Sequence, residues 1–241
     1  MPLTNINSIS EKLLLAVKKR EATDALLQQL ANLHFPLVQS ELINDDLKKA
    51  FWINIYNSFY QILRKVNQIG TPAIFTKKLI LIASTWWSLD DIEHGILRRF
   101  RYKFSLGFFA RPFTSNRIKE LAVSEIDYRI HFALNCGAKS CPPIAFYSTT
   151  NIEQQLDMAT SSFLDNETDV DDEKREIHIS RLFLWFLADF GGRKGIRNIL
   201  MEKLDQNTAG YKLIFKKYSW DEELDNYSET LMESSSKIQV L

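Results

Sequence analysis

The chain has 241 residues, 45% hydrophobic and 12% aromatic, and its 30 basic and 30 acidic side chains cancel to a formal net charge of zero. That balance excludes a disordered chain, which combines low hydrophobicity with high net charge, and argues against a general nucleic-acid binder, which carries a basic excess. The longest apolar stretches fall far short of the roughly 20 residues that cross a bilayer.

The first twenty residues, MPLTNINSISEKLLLAVKKR, lack the basic cluster, apolar run and small-residue cleavage site of a secretory leader. A cytoplasmic chain with no membrane and no nucleic-acid partner is expected. The run Arg98-Arg99-Phe-Arg101-Tyr-Lys103 is a local candidate for a polyanion site, although such runs are usually solvated surface. The cysteines are Cys136 and Cys141. A disulfide is not expected in a reducing compartment, and two cysteines fall short of a structural zinc site. No cofactor and no metal are expected.

In chain order, residues 8–20 and 22–33 carry helical spacing of Leu and Ala, with Ser8 or Ser10 as a cap. His34-Phe-Pro36 is expected to end the second helix. Residues 44–68 form the longest periodic segment, with Leu47, Phe51, Ile55, Phe59, Ile62, Leu63 and Val66 on one face. A short helix follows Gly70-Thr-Pro72. LILIASTWWSL reads as a hairpin turning at Ala83-Ser84-Thr85. Ser88 then caps a helix over LDDIEHGILRRF. Residues 101–123 read as loop, and 129–136 as either a buried strand or a short helix. Residues 151–165 are helical, 166–174 an acidic surface loop, and 176–180 a short strand. Helices over 181–190 and 194–204 flank Gly191-Gly192, and 211–218 form a last strand. Helices dominate and the strands are short and bunched, so the fold class is α+β with a small sheet.

Chemistry concentrates in His131 to Pro143, HFALNCGAKSCPP. Gly137 permits unusual backbone shapes and Pro142-Pro143 stiffen the exit. Such a loop holds Ser140 and Cys141 in fixed orientation. A thiol near a histidine becomes a nucleophile, whereas a buried one acts only as a small hydrophobe. His94 and His131 are the histidines suited to proton transfer, while His34 and His178 read as structural or solvent-facing. Asn54 and Asn57 share one face of the long helix, one expected to tie down backbone and the other to orient a histidine or a ligand. Arg98 follows His94 by four residues. Glu93 points elsewhere round the helix and need not touch His94. No metal-ligand spacing joins Glu93, His94 and His131.

FWINIYN at 51–57, SLDDIEHGILR at 88–98, DYRIHFALNCGAKSCPPI at 127–144 and ISRLFLWFLADF at 179–190 together resemble the family of domains of unknown function 547. The resemblance implies a domain over 41–225, a helical extension over 1–40 and a flexible or helical tail over 226–241. It implies no reaction, only a shared set of polar positions: Asn57, Glu93, His94, Arg98, Arg129, His131 and Ser140. Two functions stand side by side. One is a hydrolase or acyl transferase with Cys141 or Ser140 as nucleophile, His131 or His94 as base and Glu93 or an asparagine as orienting group. The other is a non-catalytic module in which Asn54, Asn57, Arg98, Arg129 and Ser140 bind an unidentified small molecule or peptide.

Overall fold

The computed structural model describes residues 5–205 and 209–228. The expected tail over 226–241 therefore lies almost wholly outside the described residues. The fold is α+β and mainly helical, with one two-stranded and one three-stranded sheet. Its centre is α4 (Asp45–Lys65), capped by the Asn44 side chain, which accepts from the Leu47 N–H. Every residue of α4 from Lys49 to Leu63 is buried, because α4 is covered on all sides rather than on one face. Val66, expected on the buried face, falls at the C-cap and is exposed. The first helix, α1 (Ile6–Lys19), buries Ile6, Ile9 and Leu13 in the same core as α4. Its cap is Asn5, not Ser8 or Ser10.

After α2 (Asp24–Ala31), the proline that was expected to stop a helix opens α3 (Phe35–Glu41). Proline fits a first helical turn, where its missing N–H is not needed. Past α5 (Ala73–Thr76), β1 (Ile80–Ile82) and β2 (Thr85–Trp87) pair antiparallel. Ala83 and Ser84 both take positive φ, the geometry of a tight two-residue hairpin. Their N–H groups donate to the carbonyls of Leu30 and Ala31, satisfying the end of α2.

The helix expected after Ser88 is a π-helical turn over Asp91–Leu97. Ser88 caps the helical residues Leu89 and Asp90 that lead into it: its hydroxyl accepts from the Asp91 N–H, and the Asp91 carboxylate accepts from the Ser88 N–H. The five-residue spacing is seen in the Arg98 N–H donating to the Glu93 carbonyl at 2.8 Å and Phe100 to Gly95 at 2.9 Å. This wider turn leaves Glu93 and His94 both on the wall of one cleft.

The 101–123 segment is loop up to α6 (Asn116–Leu121). Tyr128–Phe132 is a 3-10 helix, which resolves the strand-or-helix alternative. Then α7 (Ile152–Glu167) leads into β3 (Asp169–Asp171), so the expected acidic loop is partly strand. β4 (Glu176–Ile179) pairs antiparallel with β3 and parallel with β5 (Lys212–Phe215). Only α8 (Leu182–Trp185) of the helix expected over 181–190 forms, followed by turns and α9 (Gly192–Leu204). A second core of Phe132, Phe163, Ile179, Phe183 and Phe190 joins α7, α8, α9 and this sheet.

Candidate functional site

A cleft of about 400 Å³ is lined by Tyr56 of α4, by Glu93 and His94 of the π-helical turn, by His131 and by Cys136 and Cys141. Its other wall is aromatic. Trp185, Tyr218 and Trp220 lie with ring centres 4.7–5.5 Å apart, and Phe186, Phe75 and Phe104 also line the cleft. The four residues singled out for catalysis, Cys141, His131, His94 and Glu93, thus line one cavity.

Glu93 carries the unusual electrostatics. Its Oε2 accepts from the Tyr56 hydroxyl at 3.1 Å, and Oε1 lies 3.6 Å from His94 Nδ1, beyond hydrogen-bond length. Burial lifts its pKa above the usual 4.5, while Arg98, His131 and the Tyr56 hydrogen bond oppose the rise. His94 is neutral for a structural reason. Burial, then the Arg98 charge, push its pKa down to about 3. Arg98 Nη1 sits 2.8 Å from His94 Nδ1, and a guanidinium can only donate, so Nδ1 is the acceptor and the proton is on Nε2.

Behind this pair lies a layer that sequence reasoning missed. Asp189 accepts from Arg98 Nε at 2.6 Å and from His131 Nε2 at 2.9 Å, all three side chains being almost fully buried. Although burial pushes Asp189 up, the hydrogen bonds from His131 and Arg98 hold it below its usual range. It is therefore the ionised acceptor and His131 carries its proton on Nε2. Burial also lowers the His131 pKa, against the pull of Asp189. Phe186 packs against both, with His131 stacked 3.9 Å away and the Arg98 guanidinium 4.5 Å from its ring centre. The available signal was an acid inside the apolar run SRLFLWFLADF, since a carboxylate there requires a partner.

Several expected roles need correction. Cys136 and Cys141 are paired as a disulfide, so Cys141 holds no thiol in this state, contrary to the expectation of unpaired cysteines. The Tyr218 hydroxyl lies 3.1 Å from Cys141 Sγ. Iodoacetamide is expected to leave both cysteines unmodified until a reductant opens the pair. Intact mass with and without dithiothreitol reads this, and alkylation of the unreduced folded protein would contradict the pairing. Ser140 does not line the cleft; its Oγ accepts from the Ser219 N–H at 2.9 Å and fixes the segment that carries Tyr218.

Asn54 and Asn57 are both fully buried and both bind backbone. Asn54 bridges the N–H and carbonyl of Tyr147. Asn57 donates to the Ala133 carbonyl and accepts from the Asn135 N–H, which locks the HFALN segment against α4. Neither amide lines the cleft. Arg98 is fully buried, bound to Asp189, and does not line the cleft. Arg129 belongs to a separate surface cluster, where it pairs with Asp127, Glu153 and Asp157 and does not line the cleft.

Among the described residues, no group of three or more His, Cys, Asp or Glu side chains is placed to hold a metal ion, and no helix is long and apolar enough to cross a membrane. The family model described as "Protein of unknown function, DUF547" matches residues 40–164, 125 of the 241. That span holds Glu93, His94, His131 and both cysteines, and stops before Asp189 and before Trp185, Phe186, Tyr218 and Trp220 of the aromatic wall. No curated protein and no solved structure matches the chain.

Proposed function

Because the chain belongs to the DUF547 family, whose description states no reaction, we propose a function from the cleft alone: it takes a small, partly apolar substrate, and Glu93 moves protons on it in hydrolysis or acyl transfer. The observation that carries this reading is the Glu93 carboxyl, buried against Tyr56 in an aromatic cleft that lifts its pKa. A carboxyl brought toward working pH is suited to giving and taking protons. His94 supplies a neutral Nε2–H donor beside it. His131, Asp189 and Arg98 are positioning residues, which fix the wall from behind through the shared Asp189 carboxylate. With Cys141 in a disulfide, a thiol nucleophile is available only after reduction, so water activated by Glu93 is the simpler attacking group.

The test uses p-nitrophenyl acetate and butyrate. Glu93→Gln keeps size and an acceptor for Tyr56 but cannot take a proton. It is expected to lose about a hundredfold in kcat/KM, with an unchanged melting temperature. Turnover equal to wild type in Glu93→Gln removes the acid–base role. Absence of turnover in the wild type, with and without reductant, favours the non-catalytic binding reading, which the paired cysteines support in part by removing the free thiol.

A further inference from the structure

Residues 98–119, RRFRYKFSLGFFARPFTSNRIK, contain seven Lys and Arg and no Asp or Glu, in a chain whose net charge is zero. The same stretch gathers exposed apolar side chains. Of the thirteen large hydrophobic residues exposed among the described residues, six fall within the twelve positions from 102 to 113: Tyr102, Phe104, Leu106, Phe108, Phe109 and Phe113. Phe108 and Phe109 are more than half exposed and Phe113 is fully exposed. Contiguous apolar exposure on this scale marks an interaction surface rather than ordinary scatter.

The loop is ordered without burying these rings. The Tyr102 N–H donates to the Phe109 carbonyl at 2.9 Å, Arg101 pairs with Ala110, and the Ser105 hydroxyl binds the Tyr102 carbonyl. The Ala188 N–H donates to the Leu106 carbonyl, which bolts the loop beside the cleft. Arg99, Phe100, Leu106 and Phe113 hold positive φ, a conformation side chains resist. The basic, aromatic face continues onto the hairpin, where half-exposed Trp86 shares a shallow depression with Lys78 and Arg117. Asp90 and Asp91 lie against basic side chains of this face, and exposed Glu120 follows Lys119; among the described residues, the two aspartates are the acids that form ion pairs with it. They pair with Lys103, and with Lys78 and Arg111. Arg99 and Lys119 are exposed and form no ion pair among the described residues.

We propose that this face, from the 99–113 loop to the tip of the hairpin, docks on an anionic lipid bilayer. The observations favour a bilayer over a strand-adding peptide, because the main-chain groups named above are taken up inside the loop and what remains outward is phenylalanine, leucine and positive charge. Rings of this kind enter the interface while Arg and Lys meet lipid phosphates. Lys103 and Phe104 also line the cleft, so docking turns the cleft mouth toward the bilayer. This departs from the sequence-based expectation of no membrane partner and does not depend on the chemistry proposed for Glu93.

Flotation with phosphatidylcholine vesicles, with and without phosphatidylglycerol, tests it. Wild type is expected to float with the anionic vesicles, to lose binding as salt rises, and to bind neutral vesicles about tenfold or more less tightly. The triple variant Phe108→Ala, Phe109→Ala, Phe113→Ala alters only exposed rings outside the cleft. It is expected to weaken binding about a hundredfold with an unchanged circular dichroism spectrum. Arg99→Glu with Lys119→Glu is expected to weaken it roughly tenfold or more. Absence of flotation at low salt, a triple variant that floats like wild type, or binding to polyuridylic acid in place of vesicles would each overturn the proposal.

Discussion

Asp189→Ala is expected to cost about 3–5 kcal/mol of stability, because it leaves the buried Arg98 guanidinium without its counter-charge. Asp189 is the acceptor for both Arg98 and His131, at 2.6 and 2.9 Å, and the Asp189 and Arg98 side chains are wholly buried. Surface ion pairs contribute little, but removal of one partner from a dry pair strands a charge that water cannot reach. Against a total stability of about 5–15 kcal/mol this is a large fraction. Urea unfolding measures it. The companion variant Arg98→Met with Asp189→Leu removes both charges and is expected to recover most of the loss. A loss under about 1 kcal/mol for Asp189→Ala would mean that the buried layer does not hold the cleft wall.

The second large effect is expected at Gly107. Its φ is +86°, and a Cβ built there overlaps Asp189 Oδ1 and lies 3.2 Å from Arg98 Nη2. Gly107→Ala therefore meets backbone strain and a collision with the same carboxylate, together about 3 kcal/mol. A double-mutant cycle separates this collision from generic loop strain. With Asp189→Ala already in place the carboxylate is gone, so Gly107→Ala is expected to cost clearly less than it does in the wild type. Strict additivity would show that the loop and the buried layer are not coupled. The coupling matters for function because this loop also carries the exposed rings at the cleft mouth.

The elements legible in the sequence were those with strong local signals. The spacing from Leu47 to Leu63 gave the long helix, and the Ala83-Ser84 turn gave the hairpin, since both depend on near neighbours. The π-helical turn was not legible, because one inserted residue per turn leaves the apolar pattern of LDDIEHGIL almost unaltered. The grouping of Glu93, His94, His131 and Cys141 as one candidate site was legible as well, in that the four share a cleft. Their roles were not. Arg98 and Arg129 look alike in sequence, yet one lies in the core against Asp189 and the other in a surface ion-pair cluster. Compartment alone says nothing of how the cysteines pair, whereas the turn over Lys139 and Ser140, closed by the Cys141 N–H donating to the Ala138 carbonyl, brings Cys141 back to Cys136 as a matter of backbone geometry. Asp189 lies 58 residues after its histidine partner, and only the folded chain identifies that pairing.

Glu93 is the group on which the functional reading turns, and its ionisation can be observed without knowing the substrate. Titration of the protein with 13C-labelled glutamate side chains, assigned through Glu93→Gln, measures its carboxyl directly by NMR. A midpoint above the ordinary 4.5, which falls when Tyr218→Ala or Trp185→Ala opens the aromatic wall to water, is the expected result. A Glu93 that titrates at or below 4.5, unaffected by either opening, would contradict a carboxyl held by burial for proton transfer.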